Sequence, residues 1–157
     1  EVEFMHFESI IDSIKNGKVD AGVLLHEGQI LFQKDGLTKI SDLGELWHEN
    51  TGLPIPLGVD LVNRKFDEKT RKDLTTVFYK SVKYGIENED AALKYAMQFG
   101  RDLSFEEARK FVRMYVNSDT LSLGTEGRDA ILKLFNLAFE KNIINQKPVI
   151  DIMHPKY

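Results

Sequence analysis

The stretch that decides the predicted fold is Asp20-Ala21-Gly22-Val23-Leu24-Leu25-His26-Glu27-Gly28. Its apolar run has the length of a buried strand and ends at an adjacent imidazole and carboxylate, followed by a glycine. In an open α/β sheet, ligands bind just beyond the carboxyl ends of the strands. The pattern therefore predicts a site at His26, because imidazole can accept a proton at physiological pH.

Each residue of this predicted site has an alternative interpretation. His26 is either a base facing a ligand or a solvent-facing residue at the start of a helix. Glu27 is expected to orient the substrate or the imidazole, although sequence neighbours at a strand end need not touch. Gly28 either lets a ligand approach the backbone or eases a turn. Spacing alone leaves these alternatives open.

The composition excludes several classes of partner. The 157 residues carry a formal charge of -4 and mix acidic with basic side chains, so there is no basic stripe for nucleic acid. No apolar stretch approaches the length of a membrane span, and the amino end lacks the order of a signal peptide. The absence of cysteine excludes thiolate chemistry and fits a cytoplasmic protein.

Metal and nucleotide sites have no supporting pattern. His6, His48 and His154 are scattered and show none of the spacings that metal sites use. The chain also has no P-loop, dinucleotide-binding or serine-hydrolase motif. The residues therefore predict no metal site.

The amino-terminal part of the chain is predicted to be α/β. The apolar pattern gives a short helix at 10–14 between two strands, which makes a parallel βαβ unit. Asn16-Gly17 is expected to end this helix in a left-handed conformation, and another short helix is expected directly after His26. Strands are expected at 2–6, 19–25 and 37–43. Because residue 1 is not Met and the opening is already strand-like, the chain is expected to be part of a longer protein.

The remainder is predicted to be mainly helical. Pro54 and Pro56 fix φ and remove donors, so 53–57 is expected to be an extended crossover or sheet edge that acts as a hinge or lines the site. From Phe66 onward the apolar period is helical, and the apolar stripes are expected to be core. Helices are predicted at 44–50, from Asp67 to about Gly85, from Asn88 to Gly100, behind a capping box at Ser104–Glu107, and from 125–128 to near Asn142, with a strand or tail at 148–153.

Tyr115 and Asn117 lie where one of these helices is expected to end. Their polar tips either reach a ligand or are satisfied at the margin of the core. The sequence pattern does not decide between these roles.

Four stretches together resemble the 1,4-dihydroxy-6-naphthoate synthase family, enzymes of the futalosine route to menaquinone. They occur in the family's order and spacing over nearly the whole chain. The His-Glu-Gly and Thr-Gly-Leu-Pro-x-Pro-Leu-Gly pieces are the most specific. The four are Asp20 to Gly28, Asp42-Leu43-Gly44-Glu45-Leu46-Trp47, Thr51-Gly52-Leu53-Pro54-Ile55-Pro56-Leu57-Gly58, and Tyr115-Val116-Asn117 with Leu121-Ser122-Leu123-Gly124-Thr125-Glu126-Gly127.

The resemblance implies a fold, a reaction and a set of site residues. The fold would be α/β, like the type II periplasmic binding proteins, with two lobes and the site between them. The enzyme would be a cytoplasmic lyase that converts cyclic dehypoxanthine futalosine to 1,4-dihydroxy-6-naphthoate without a metal or organic cofactor. His26 matches the proposed general base. The residues assigned to a small-molecule substrate are Glu27, Gly28, Leu57, Gly58, Tyr115 and Asn117.

The sequence departs from the family in length. The amino-terminal part of the first lobe is expected to be absent, so that apolar helix faces which need a sheet would be exposed. Residues 1–52 would form the later half of the smaller second lobe, 53–65 a crossover and hinge, and 66–157 a helical return to the first lobe. Val59 stands where the family usually has a second glycine.

Two other functions are compatible with the predicted architecture, because a fold does not determine a function. A solute-binding protein of a transporter would share the two lobes without doing chemistry. A chorismate dehydratase of the same pathway would share the fold but lack the His-Glu motif. The sequence leaves a homodimer open.

Overall fold

The computed structural model describes residues 1–99 and 103–156, and its contacts divide them into two units. The first unit is Glu1–Ser41, and the second begins at Asp42. In the first unit a 3-10 turn, Phe7–Ser9, leads into α1 (Ile10–Lys15), and α2 (Gly28–Leu31) follows. The second unit contains α3 (Leu43–Thr51), α4 (Glu68–Glu87), α5 (Glu89–Ala96), α6 (Phe105–Tyr115), α7 (Ser118–Leu121) and α8 (Gly124–Glu140).

The predicted α/β fold of the periplasmic-binding-protein type is wrong for the part of the chain that the structure describes, which contains no strand and no sheet. A strand needs a second strand to pair its N–H and C=O groups, and an apolar sequence does not supply that partner. Two residues of the predicted buried strand at 19–25, Val23 and Leu25, are 60% and 50% exposed. The segments without regular structure include 2–6, 19–25, 37–42 and 148–153.

The predicted helices are confirmed, because the residues that begin and end them act on their near neighbours in the chain. Gly17 has φ +66 at the end of α1 and Gly52 has φ +70 at the end of α3, as left-handed helix ends require. Asp67 caps α4, since its Oδ1 accepts a hydrogen bond from the Thr70 N–H at 2.8 Å. Each of these interactions spans a few residues, so it can be read from sequence.

The far ends of the predicted helices are less accurate. Helix α4 continues to Glu87, beyond the predicted end at Gly85. Helix α5 ends at Ala96, whereas the predicted stop at Gly100 lies outside the described residues. The last helix, α8, ends at Glu140, whereas its predicted end is near Asn142.

The core of the second unit is small. Its buried apolar side chains include Leu93 on α5, Ala108 on α6, and Ala130 and Ile131 on α8. The prediction that the apolar stripes are core fails on α4, where Leu74, Val77 and Phe78 are exposed. Helical period therefore marks a face that can be buried, but another surface must cover that face.

Candidate functional site

The backbone at His26 is unusual. His26 has φ +53, and it shares a positive φ with one other non-glycine residue of the described chain, Asn142. This left-handed conformation costs a residue with a Cβ about 1–2 kcal/mol relative to ordinary helical backbone. The conformation makes the turn into α2, and the His26 carbonyl accepts a hydrogen bond from the Gln29 N–H at 3.2 Å. Strained backbone at a titratable residue is a feature of functional sites.

The imidazole of His26 is exposed and lies against an aromatic ring. The ring centroids of His26 and Phe7 are 4.7 Å apart, with an interplanar angle of 57°. Phe7 also contacts the ring of His6, with centroids 4.6 Å apart and planes 30° apart. The sequence pattern does not indicate the contact between Phe7 and His26. No short motif joins residues so far apart in the chain, so only the folded unit reveals it.

The segment before His26 is placed by close packing on α1. A Cβ added to Gly22 would overlap the Ile10 side chain and lie 3.3 Å from Ile14 Cδ1. Gly22 is therefore required by the close approach of the segment to the helix. In the same unit, an ion pair joins Lys15 Nζ on α1 to Asp35 Oδ1 at 2.9 Å.

Glu27 and Gly28 begin α2 directly after His26. The Glu27 carbonyl accepts hydrogen bonds from the N–H groups of Ile30 at 2.9 Å and Leu31 at 3.0 Å, so the backbone of Glu27 starts the helix. A Cβ at Gly28 would make ordinary contacts, the nearest being Leu24 Cβ at 3.6 Å. The structure therefore gives no steric reason for glycine at 28, and a role toward substrate stays a prediction.

Leu57 and Gly58 lie in the segment between α3 and α4 that has no regular secondary structure. Leu57 is 52% exposed, and a Cβ at Gly58 would meet no described atom within 4 Å. Upstream, the segment is tied to α3 by a hydrogen bond from Trp47 Nε1 to the Pro54 carbonyl at 2.9 Å. The two residues are accessible, and their assignment to substrate stays a prediction.

Tyr115 and Asn117 connect α6 to α7, and their local partners hold this corner. The Tyr115 ring lies 5.1 Å from the Phe111 ring, and its carbonyl accepts a hydrogen bond from Thr120 Oγ1 at 3.0 Å. Asn117 Oδ1 accepts from the Asp119 N–H at 2.9 Å, while Asn117 Nδ2 donates to the Arg113 carbonyl at 3.3 Å. The Asn117 amide thus serves as a helix cap.

The predicted site residues fall into local groups. His26, Glu27 and Gly28 are consecutive in the first unit, and the other predicted substrate residues belong to the second unit. Within residues 1–99 and 103–156, no three His, Asp or Glu side chains converge to hold a metal ion. In the same residues, no helix has both the length and the apolar character needed to cross a membrane.

Comparison with known proteins identifies the family. A family model described as menaquinone biosynthesis matches residues 1–140. The chain belongs to this menaquinone biosynthesis family. This match, together with two curated relatives, confirms the resemblance inferred from the four sequence motifs.

Two curated relatives of the family carry the same name, 1,4-dihydroxy-6-naphthoate synthase. The protein from Streptomyces coelicolor is 33% identical over 144 residues, which cover 92% of this chain and 51% of the relative. The Thermus thermophilus protein is also 33% identical over 144 residues, covering 92% of this chain and 53% of the relative. The chain thus spans about half the length of these relatives.

A solved structure is similar to this chain. The crystal structure of an Archaeoglobus fulgidus protein matches with a TM-score of 0.86 and 36% identity. The match covers 89% of this chain and 53% of that protein. This member of the menaquinone biosynthesis family thus corresponds to part of an experimentally determined fold.

Proposed function

We propose that this protein is a 1,4-dihydroxy-6-naphthoate synthase, a cytoplasmic lyase that converts cyclic dehypoxanthine futalosine to 1,4-dihydroxy-6-naphthoate. The observation that carries the proposal is the match over 92% of the chain to two curated relatives of that name. The placement of His26 agrees with it, because an exposed imidazole stands on strained backbone within a sequence motif of the family.

In the proposed reaction, His26 is the general base. Its neutral imidazole takes a proton from the sugar-derived part of the substrate and becomes imidazolium. The electron pair left behind drives cleavage of the carbon–carbon bond to the ring system, so that the sugar-derived fragment leaves and the ring system becomes aromatic. The residues proposed to contact the substrate are Glu27, Gly28, Leu57, Gly58, Tyr115 and Asn117.

The proposal is tested with the full-length protein and cyclic dehypoxanthine futalosine, by following naphthoate formation through its absorbance and mass. The informative variant is His26→Asn, because asparagine tolerates a left-handed backbone but cannot act as the base. We expect kcat to fall by about 10²- to 10⁴-fold, the range for loss of a general base, while substrate binding is retained. His48→Asn, an exposed histidine on α3, is the matched control.

The outcomes separate the alternatives. Full activity in His26→Asn would remove the base assignment. If the wild-type protein binds the substrate and forms no naphthoate, the lyase proposal fails and a solute-binding function is favoured.

A further inference from the structure

Phe7 lies against the imidazole of His26. It is the first residue of the 3-10 turn, which is closed by a hydrogen bond from the Ser9 N–H to the His6 carbonyl at 2.9 Å. The turn fixes the backbone position from which the Phe7 side chain projects. Phe7 is 37% exposed, and its ring centroid lies 4.7 Å from that of the His26 imidazole.

The backbone of His26 does not by itself orient its imidazole. A left-handed φ fixes the direction of the Cα–Cβ bond but leaves staggered choices at χ1 and a broad range at χ2. An aromatic ring at a centroid distance of 4.7 Å and a tilt of 57° favours the rotamers that keep this contact. A base must lie within hydrogen-bond reach of the proton that it removes, so restricting these rotamers increases the productive fraction.

The Phe7 ring is itself restrained by its surroundings. The His6 ring contacts it with centroids 4.6 Å apart, and His6 Nδ1 lies 3.5 Å from Glu8 Oε2. Both histidines therefore contact the same phenyl ring. The His6 contact limits how far that ring can follow His26 if the imidazole swings away.

We propose that Phe7 is a positioning residue for His26, holding the imidazole in the orientation used for proton abstraction. The inference rests on the proposed function, since the base role of His26 is part of that function. Phe7 acts through the ring of His26 and takes no part in bond making.

Kinetics of the full-length protein with cyclic dehypoxanthine futalosine test the role. Phe7→Leu keeps an apolar side chain but removes the ring, whereas Phe7→Tyr keeps the ring. We expect Phe7→Leu to lower kcat about tenfold with KM nearly unchanged, and Phe7→Tyr to retain kcat. Phe4→Leu is the matched control, because Phe4 is an aromatic residue of the same segment that is 94% exposed.

A spectroscopic measurement tests the contact without activity. The ring protons of His26, assigned by their loss in His26→Asn, should show a ring-current shift that disappears in Phe7→Leu and persists in Phe7→Tyr. Phe7→Tyr keeps the proposal testable if Phe7→Leu folds poorly, because Phe7→Tyr retains the aromatic ring. An equal loss of kcat in both variants would overturn the proposal.

Failure of this inference can be told from failure of the proposed function. An inactive His26→Asn with a fully active Phe7→Leu would leave His26 as the base and overturn the positioning role alone. An active His26→Asn would instead overturn the base assignment, and the role of Phe7 with it. Unchanged His26 ring shifts in Phe7→Leu would also overturn the inference.

Discussion

Helix α6 and the segment 19–25 both carry apolar residues that predict regular structure, but α6 is helical and the segment has no regular structure. In α6, each backbone group of the helix interior finds its partner four residues away, and the first turn is closed by its own side chains. The segment 19–25 requires partners from another strand. The comparison shows that local sequence is sufficient for the first kind of element and insufficient for the second.

What holds segment 19–25 is contact with α1. Gly22 allows close approach to Ile10, and the N–H groups of Lys18 and Val19 donate to the buried Ser13's carbonyl at 2.9 and 3.4 Å. The Gly22–Ile10 contact joins residues that are separated along the chain, whereas the two hydrogen bonds to Ser13 close the end of α1. We therefore expect the segment to respond to steric changes at α1, whereas α6 responds to changes in its caps.

The largest effect is expected from Gly22→Ala. The added methyl group would overlap Ile10, a branched side chain fixed on α1, so the segment must move away from the helix. Overpacking of this kind destabilises by about 1–3 kcal/mol. Hydrogen exchange of the full-length protein should show lost protection at the Lys18 amide, with α6 protected as before.

Gly28→Ala is the matched control for this comparison. A Cβ at position 28 meets Leu24 and Ile11 at 3.6 Å or more, and the residue begins a helix, where alanine is favoured over glycine. Its exchange pattern should stay close to that of the wild-type protein. Equal loss of protection in both alanine variants would contradict the role assigned to Gly22.

The fold was predictable from sequence only where its determinants are local. The sequence predicts the Asp67 cap, the Ser104 capping box and the left-handed helix end at Gly17, because each acts over two to four residues. The strand predictions failed because an apolar run such as 19–25 indicates that a segment can be buried but does not identify a strand that would pair with it.

The site was predictable only in part for the same reason. The motif predicts a site at His26, but the left-handed φ of His26 and its contact with Phe7 follow from how the first unit folds. The sequence also predicts that Asn117 contacts substrate, and in the structure its side-chain amide caps a helix. Whether Asn117 also contacts substrate stays a prediction.

A smaller effect is expected from Ser104→Ala, which opens the capping box of α6. The Ser104 N–H donates to Glu107 Oε2 at 2.9 Å, and the Glu107 N–H donates to Ser104 Oγ at 3.4 Å. Loss of an N-cap side chain costs about 1 kcal/mol. Exchange should accelerate at the first amides of α6 and remain unchanged at Lys18.

Ser104→Asp retains a cap acceptor and should preserve most of the protection. Faster exchange at Lys18 in Ser104→Ala, to the same extent as in α6, would mean that the two regions are coupled, and the distinction between local and non-local stabilisation would fail.

The smallest effect concerns an ion pair that joins α5 to α6. Glu89 accepts two hydrogen bonds from Arg113, at 2.6 Å from Nε and 2.7 Å from Nη2. The hydrogen bond from Arg113 is the largest cause that lowers the pKa of Glu89 below its ordinary value of 4.5. The pair is partly exposed, so its contribution to stability is modest.

Glu89→Gln tests this link through pH. Because the pKa of Glu89 is lower in the folded protein, its contribution is present above pH 4.5 and is lost as pH falls through the folded pKa. The difference in Tm between wild type and Glu89→Gln should therefore be largest near neutrality and shrink toward pH 3. Glu49→Gln, on the exposed face of α3, is the control and should give a much smaller difference at neutrality. If the difference in Tm for Glu89→Gln is constant with pH, the contact between Glu89 and Arg113 acts through packing and not through charge. The contact between α5 and α6 would then depend on the burial of Leu93 and Ala108.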